Sequence, residues 1–245
     1  MNKTIILEMA TKAGKIMLEN GAETDMVEET IKIIGNNFGF EINSYATLTG
    51  IISTIKGEDN YFITNTLRIS KRTMDLNKIH EIHKLGKNIK KYNLETIKNK
   101  IELIENDKGY GFKTNLFAYA FAAGSFTLLF GGLPKDFLGS SIIGVVIYLY
   151  FKSLSSFDIN KFFINGLGSS IITFFGLFMY KFSLISSMDT VIIGSMMLLV
   201  PGMAITNAVR DIINGDLMAG MARGLEAFFI ATSLAVGSGF ILTIF

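Results

Sequence analysis

The sequence lacks the residues from which several classes of site are built. It contains no cysteine and no tryptophan, and only two of its 245 residues are proline. Without cysteine the chain can form neither a disulfide framework nor a thiolate metal site. No P-loop, HExxH, GxSxG or Rossmann fingerprint occurs, so we find none of the motifs that hold a nucleotide, zinc or an activated serine. We therefore expect no cofactor.

Two further absences narrow the class of protein. Residues 1–15 do not form a cleavable signal peptide, because Glu8, Lys12 and Lys15 interrupt the apolar residues. No Lys/Arg stripe alternates with aromatic residues, so we expect no nucleic acid partner. His80 and His83 lie three residues apart on a predicted helix. They lack a supporting Cys or Asp/Glu constellation, so we interpret them as surface residues and expect no metal site.

Charge is concentrated in the first half of the chain. Residues 1–113 hold 17 of the 23 Lys and Arg and 15 of the 21 Asp and Glu, which leaves six of each sign in the last 132 positions. Such a change in composition indicates two solvents, water for the first part and lipid for the second. We therefore place a soluble domain at 1–113 and a transmembrane domain at 114–245.

The soluble part shows the patterns of a small α+β domain. Apolar residues at helical spacing predict a helix over 5–17 that stops at Asn20-Gly21. A second helix is predicted to start at Thr24 or Asp25, with Glu28 placed for a capping box. Residues 42–70 predict three or four short strands with a hairpin at 57–60, and residues 76–106 return to helical periodicity.

Uncharged runs mark the membrane part. They predict five transmembrane helices over approximately 114–133, 133–151, 162–180, 190–209 and 227–245. The fold class is thus an α-helical integral membrane protein with a small α+β domain before its helices. Eight basic residues fall on one side of these spans and two on the other, Lys135 and Lys181. The excess predicts a cytoplasmic N-terminus and an external C-terminus.

One segment, residues 201–227, combines polar groups with a predicted helix break. Pro201-Gly202 lies about half-way along the fourth run, where proline removes a backbone donor and frees a carbonyl. Downstream polar residues share one helical face or follow within about four turns: Thr206, Asn207, Arg210, Asp211, Asp216, Arg223 and Glu226. Such groups near lipid need partners or a wet cavity. Alternatively, the two arginines are topology anchors and the three acids are their counter-charges.

The same segment resembles the signature of the threonine/serine exporter family. The matching residues are Pro201-Gly202, Thr206-Asn207-Ala208, Arg210-Asp211, Gly215-Asp216, Gly220, Arg223 and Glu226-Ala227. Residues Gly21-Ala22-Glu23-Thr24, Val27-Glu28 and Thr30 are similar to the family's N-terminal motif. The resemblance is to the larger membrane component of a split exporter. It implies a smaller helical membrane subunit as partner, the bacterial cytoplasmic membrane as location, and export of threonine, serine or a dicarboxylate such as succinate on a proton gradient.

On this basis the sequence-level hypothesis is a secondary exporter. Pro201, Gly202, Thr206, Asn207, Arg210 and Arg223 are the candidate substrate-binding residues, and Asp211, Asp216 and Glu226 are the candidate proton carriers. A homo-oligomer is compatible with this reading. Two alternatives remain open: a membrane-anchored scaffold or regulatory subunit, and a membrane-embedded enzyme that uses the acidic cluster. We expect no enzymatic activity, because the sequence has no metal-ligand spacing and no activated nucleophile.

Overall fold

The structure is a computed structural model that describes residues 3–57, 61–155, 157 and 159–245. The elements follow in the order α1 (Lys3–Glu19), α2 (Thr24–Asn37), β1 (Ile42–Thr47), β2 (Gly50–Lys56), β3 (Phe62–Arg68), α3 (Leu76–Lys87), a short 3-10 helix (Ile89–Lys91), α4 (Leu94–Glu105), α5 (Phe112–Leu129), α6 (Pro134–Leu154), α7 (Lys161–Lys181), α8 (Met188–Met196), α9 (Gly202–Ile213) and α10 (Leu217–Ile244). The described residues form two compact units. The first contains the chain up to Gly109 together with Met203–Gly224, and the second contains Tyr110–Gly202 and Leu225–Phe245.

The first unit has its core between a helix pair and one face of a three-stranded sheet. The strands are antiparallel in the order β1-β2-β3. Register pairs Ile42 with Ile55 and Ala46 with Ile51, so these four buried side chains point to the same face. They belong to the core that α1 and α2 also line. Gly14 allows the close approach of those two helices, because a Cβ there would lie 2.6 Å from the end of the Ile31 side chain.

The predicted elements of this unit are largely confirmed. The first helix ends at Glu19, the second begins at Thr24, three strands form, and helices α3 and α4 cover most of 76–106. The turn predicted at 57–60 involves residues 58–60, which lie outside the described residues, although β2 and β3 pair on either side of it.

The capping box predicted for α2 was wrong. The N-cap is Glu23, and its own side chain makes no capping hydrogen bond. Glu28 consequently falls five residues after the cap, instead of the three that a capping box requires. Its carboxylate accepts a hydrogen bond of 2.7 Å from the backbone N–H of Ala46 on β1 instead.

Three of the described helices are long and apolar enough to cross a membrane: α6, α7 and α10. They correspond to the predicted spans at 133–151, 162–180 and 227–245, although α10 begins ten residues early. Helix α5 covers most of the predicted span at 114–133, but it is not among these three. Three of the five predicted spans thus have a matching candidate helix among the described residues, and the other two stay a prediction.

The helix break predicted at Pro201-Gly202 is confirmed, and it divides the predicted span at 190–209 between two helices. Helix α8 ends at Met196, and α9 begins only at Gly202. Pro201 has no N–H to continue the ladder of helical hydrogen bonds, so the chain turns here. The amide of Gly202 instead donates to the carbonyl of Val200 at 2.8 Å.

Close helix contacts in the second unit use small and hydroxyl-bearing residues. Ser170 donates from Oγ to the carbonyl of Gly237 at 2.9 Å, and Thr173 donates to Ser238 Oγ at the same distance. Both bonds join α7 to α10. Hydroxyl bonds and small residues of this kind are how helices associate where neighbouring apolar surface gives no hydrophobic driving force.

Candidate functional site

The turn between α1 and α2 presents backbone carbonyls and one hydroxyl at the edge of the first unit. Gly21 has φ +94°, a left-handed conformation that glycine adopts without strain. Two hydrogen bonds hold the turn in place. The amides of Thr73 and Asp75 donate to the carbonyls of Glu19 and Asn20 at 2.7 and 3.1 Å. Ala22 and Thr24 are buried. The turn is thus a rigid element and not a mobile loop.

Opposite the turn lies a tight helical hairpin formed by α9 and the start of α10. Gly215, with φ +94°, makes the reversal between the two helices. Gly220 lets the helices touch, because a Cβ there would lie 2.8 Å from the carbonyl oxygen of Ala208. The hairpin therefore holds side chains of α9 and α10 close together. We call it the α9–α10 hairpin, residues 203–224.

The hairpin binds the turn through buried polar groups. Asn207 donates from Nδ2 to the carbonyl of Gly21 at 2.9 Å, and Arg223 donates from Nη2 to the carbonyl of Ala22 at 2.6 Å. Arg223 also donates from Nε to Asp211 Oδ2 at 2.8 Å. Asp211 is 0% exposed and Arg223 is 5% exposed. Charges this deeply buried require such a paired and hydrogen-bonded arrangement.

Thr24 faces two carboxylates at once. Its hydroxyl lies 3.2 Å from Asp211 Oδ1 and 2.7 Å from Asp216 Oδ2. Its backbone N–H lies 3.4 Å from the same Asp211 oxygen. A threonine hydroxyl carries a single hydrogen, so it cannot make a full hydrogen bond to both acceptors as donor. The protonation of the two carboxyl groups and the orientation of this hydroxyl are consequently linked.

The rim of the site is more exposed. Arg210 on α9 contacts Glu23, with Nη1 at 2.5 Å from Oε1, while its own side chain is 60% exposed. Asn214 donates to Asp25 Oδ2 at 3.4 Å. Exposed ion pairs contribute little to stability, so this contact between Arg210 and Glu23 is exchanged at little cost.

The site has an excess of negative charge. Five acids face two arginines; the acids are Glu23, Asp25, Glu28, Asp211 and Asp216. Burial raises the pKa of the Glu28 carboxyl above its ordinary value. The hydrogen bond from the Ala46 N–H lowers this pKa, but by less than burial raises it. The charges of Asp216 and Asp25 raise this pKa further. Uptake of a cation or a proton would relieve the repulsion.

The structure brings together several of the residues proposed from sequence. Asn207, Arg210, Asp211, Asp216 and Arg223 all take part in the contacts between the turn and the α9–α10 hairpin. Thr206 is exposed on α9. These contacts do not include the remaining three. Pro201 and Gly202 form the break in the second unit, and Glu226 lies there with its Oε1 3.5 Å from Lys161 Nζ.

Residues of the N-terminal turn complete the site and were not among the predicted site residues. They are Gly21, Ala22, Glu23 and Thr24, and two of them contribute only backbone carbonyls. Periodicity gives no signal for a carbonyl ligand. The signal that could have located these residues is the N-terminal motif noted above.

Metal binding receives no support from the part of the chain that the structure describes, where no group of three or more His, Cys, Asp or Glu is arranged to hold an ion. His83 instead lies against α2, with its Nδ1 3.2 Å from Thr30 Oγ1.

A model of the threonine/serine exporter family, ThrE, matches residues 8–245. The match covers the turn, the α9–α10 hairpin and all three candidate membrane spans. Comparisons with curated proteins and with solved structures found no match.

Proposed function

The chain belongs to the threonine/serine exporter family, and from that premise we propose that it is a proton-driven secondary exporter of small polar metabolites. Family membership and the apolar helices make it a membrane transport protein for a small solute. The driving ion, the choice of solute, the partner and the site residues are our proposal.

The proposal rests on the contact between two motifs that are far apart in the sequence, the N-terminal turn and the α9–α10 hairpin. Asn207, Asp211 and Arg223 contact Gly21, Ala22 and Thr24 although about 190 positions separate them. Burying charged groups costs free energy even when they are paired, and such groups are concentrated at functional sites. The N-terminal turn therefore belongs to the transport machinery and is more than an attached domain.

We assign solute recognition to the arginines and their neighbours. Arg210 is exposed at the rim and orients a carboxylate by exchanging its contact with Glu23. Arg223 is occupied by Asp211 and Ala22, so it reaches solute only when Asp211 releases it. Thr206 and Asn207 add polar contacts, and the break at Pro201-Gly202 exposes backbone carbonyls, as broken helices do in transporters.

We assign proton movement to Asp211, Asp216 and Glu226. Asp211 and Asp216 share the Thr24 hydroxyl, and Glu226 pairs with Lys161. A proton taken up on one side and released on the other would couple export to the gradient. The solutes are threonine, serine or a dicarboxylate such as succinate, each of which carries a carboxylate for an arginine.

The proposed setting is the bacterial cytoplasmic membrane. The N-terminus lies in the cytoplasm, the C-terminus lies outside, and a smaller helical subunit acts as partner. The five predicted transmembrane helices and the domain boundary near residue 113 belong to this proposal.

The experiment is export from preloaded cells that contain the chain with and without a smaller membrane subunit. Threonine, serine and succinate are compared in the wild type, Asp211→Asn and Arg210→Gln, at equal membrane abundance. Glu81→Gln, an exposed change in α3, is the control. We expect export to fall at least about tenfold in the two site variants, because each loses a charge-assisted contact. Unchanged export in both would remove the site assignment.

A further inference from the structure

We infer that Thr24 is a proton-sensing positioning residue that ties the N-terminal turn to the α9–α10 hairpin when a proton is bound. This inference rests on the proposed proton coupling and names the residue that reports it. It follows from the distances of one hydroxyl to two carboxylates.

One bound proton lets the Thr24 hydroxyl form a hydrogen bond with both carboxyl groups at once. The Asp216 carboxyl O–H donates to Thr24 Oγ, the Thr24 O–H donates to Asp211 Oδ1, and Arg223 Nε donates to Asp211 Oδ2. The same hydrogen bonds form when the proton lies on Asp211, whose O–H then donates to Thr24 Oγ while the Thr24 O–H donates to Asp216 Oδ2. The proton comes from water when it binds to this group and returns to water when it leaves.

Loss of that proton breaks the arrangement. Two carboxylates then face one hydroxyl, which can donate to only one of them. The surrounding groups add repulsion. Glu23, the N-cap of α2, and Asp25 and Glu28 within α2 are acidic, and the facing cations are Arg210 on α9 and Arg223 on α10. Repulsion between like charges with few counter-charges weakens the contact between turn and hairpin. Proton occupancy thus sets how firmly the turn holds the hairpin.

The first test compares pH profiles of export in Thr24→Val, Thr24→Ser and wild type. Valine keeps the shape and removes the hydroxyl, whereas serine retains it. The state with the proton bound has one more hydrogen bond through Thr24 than the state without it. Thr24→Val should therefore shift half-maximal export to lower pH by about half to one unit, which is about three- to tenfold in proton affinity. Thr24→Ser should keep the wild-type midpoint. Thr11→Val is the matched control, a buried threonine whose hydroxyl binds within α1.

The second test does not depend on transport. Asp216→Asn imitates the protonated acid, because its amide donates to Thr24 Oγ at any pH. Hydrogen exchange of the amides of 21–27 in the full chain, in lipid nanodiscs at pH 8, should be at least about threefold slower in this variant than in wild type. Amides of α4 provide the internal reference.

The outcomes separate the two ideas. Wild-type export that ignores the proton gradient would contradict the proposed coupling. Proton-driven export with the same pH midpoint in Thr24→Val, or equal exchange in wild type and Asp216→Asn, would overturn the role of Thr24. A shift in Thr24→Val that Thr24→Ser does not show, together with slower exchange in Asp216→Asn, would support it.

Discussion

Arg223 Nε lies 2.8 Å from Asp211 Oδ2, and both side chains are buried. The pair joins the start of α10 to α9, and its arginine extends to the carbonyl of Ala22 on the N-terminal turn. A buried ion pair of this kind is poor evidence for stability in itself, because desolvation opposes the attraction. The pair instead favours one specific arrangement of the two helices, because either charge would lower the stability if it stayed buried without its partner.

The first prediction compares the removal of one partner of this ion pair with the removal of both. Arg223→Met leaves Asp211 charged and buried, so we expect a loss of about 3–5 kcal/mol, or about 10 °C in the melting temperature of the full chain in nanodiscs. Asp211→Leu combined with Arg223→Met should recover most of that loss, because no charge is left unpaired. A double variant no more stable than Arg223→Met would contradict this explanation.

Local pattern predicted much of the fold. Apolar spacing located α1 and α2, because a helix that buries one face repeats its apolar residues at a fixed period, and uncharged runs located the three described helices of membrane length. Local pattern failed where a tertiary contact decides. Glu28 binds Ala46 on β1 instead of capping its own helix, and only the folded arrangement of helix and sheet reveals that alternative.

The candidate site could be predicted only in part. The charged side chains of 207–223 are visible in the sequence because ionisable groups next to apolar runs are unusual. Their partners are less visible, since Gly21 and Ala22 contribute carbonyls and Thr24 contributes one ordinary hydroxyl. The break at Pro201-Gly202 was visible in the sequence because proline cannot donate a helical hydrogen bond, whereas the end of α8 already at Met196 was not.

The second prediction concerns the packing of the α9–α10 hairpin. Gly220→Ala would place a methyl group 2.8 Å from the Ala208 carbonyl, so we expect a loss of about 1–3 kcal/mol and reduced export. Gly224→Ala is the matched control four residues along the same helix. Nothing lies within 4 Å of its added Cβ, and alanine favours the helix by about 0.5–1 kcal/mol. Equal melting temperatures for the two variants would show that the hairpin is not closely packed.

The third prediction concerns His83. Burial, together with the charge of Lys87, lowers the pKa of this imidazole below about 6.5. The folded state therefore binds fewer protons than the unfolded state, so this stabilising contribution is present above pH 6.5 and is lost as the pH falls through the lowered pKa.

The His83 effect is measured as the difference in melting temperature between pH 7.5 and pH 5.5. This difference should be smaller in His83→Gln than in wild type, whereas His80→Gln should keep the wild-type difference. Other groups, among them Glu28 with its raised pKa and opposite sign, act equally in all three proteins and cancel in the comparison. A His83→Gln variant with the wild-type pH dependence would rule out this imidazole as the source.

The fourth prediction tests the break before α9. Pro201→Ala restores a backbone N–H, so α8 and α9 can extend toward each other and the free carbonyls are lost to helical hydrogen bonds. We expect slower amide exchange at 197–203 and a fall in export of roughly tenfold, with the membrane abundance unchanged. Pro134→Ala is the matched control, because proline at the first turn of α6 replaces no helical hydrogen bond. Export at the wild-type rate despite slower exchange at 197–203 would show that the solute does not use the carbonyls of the break.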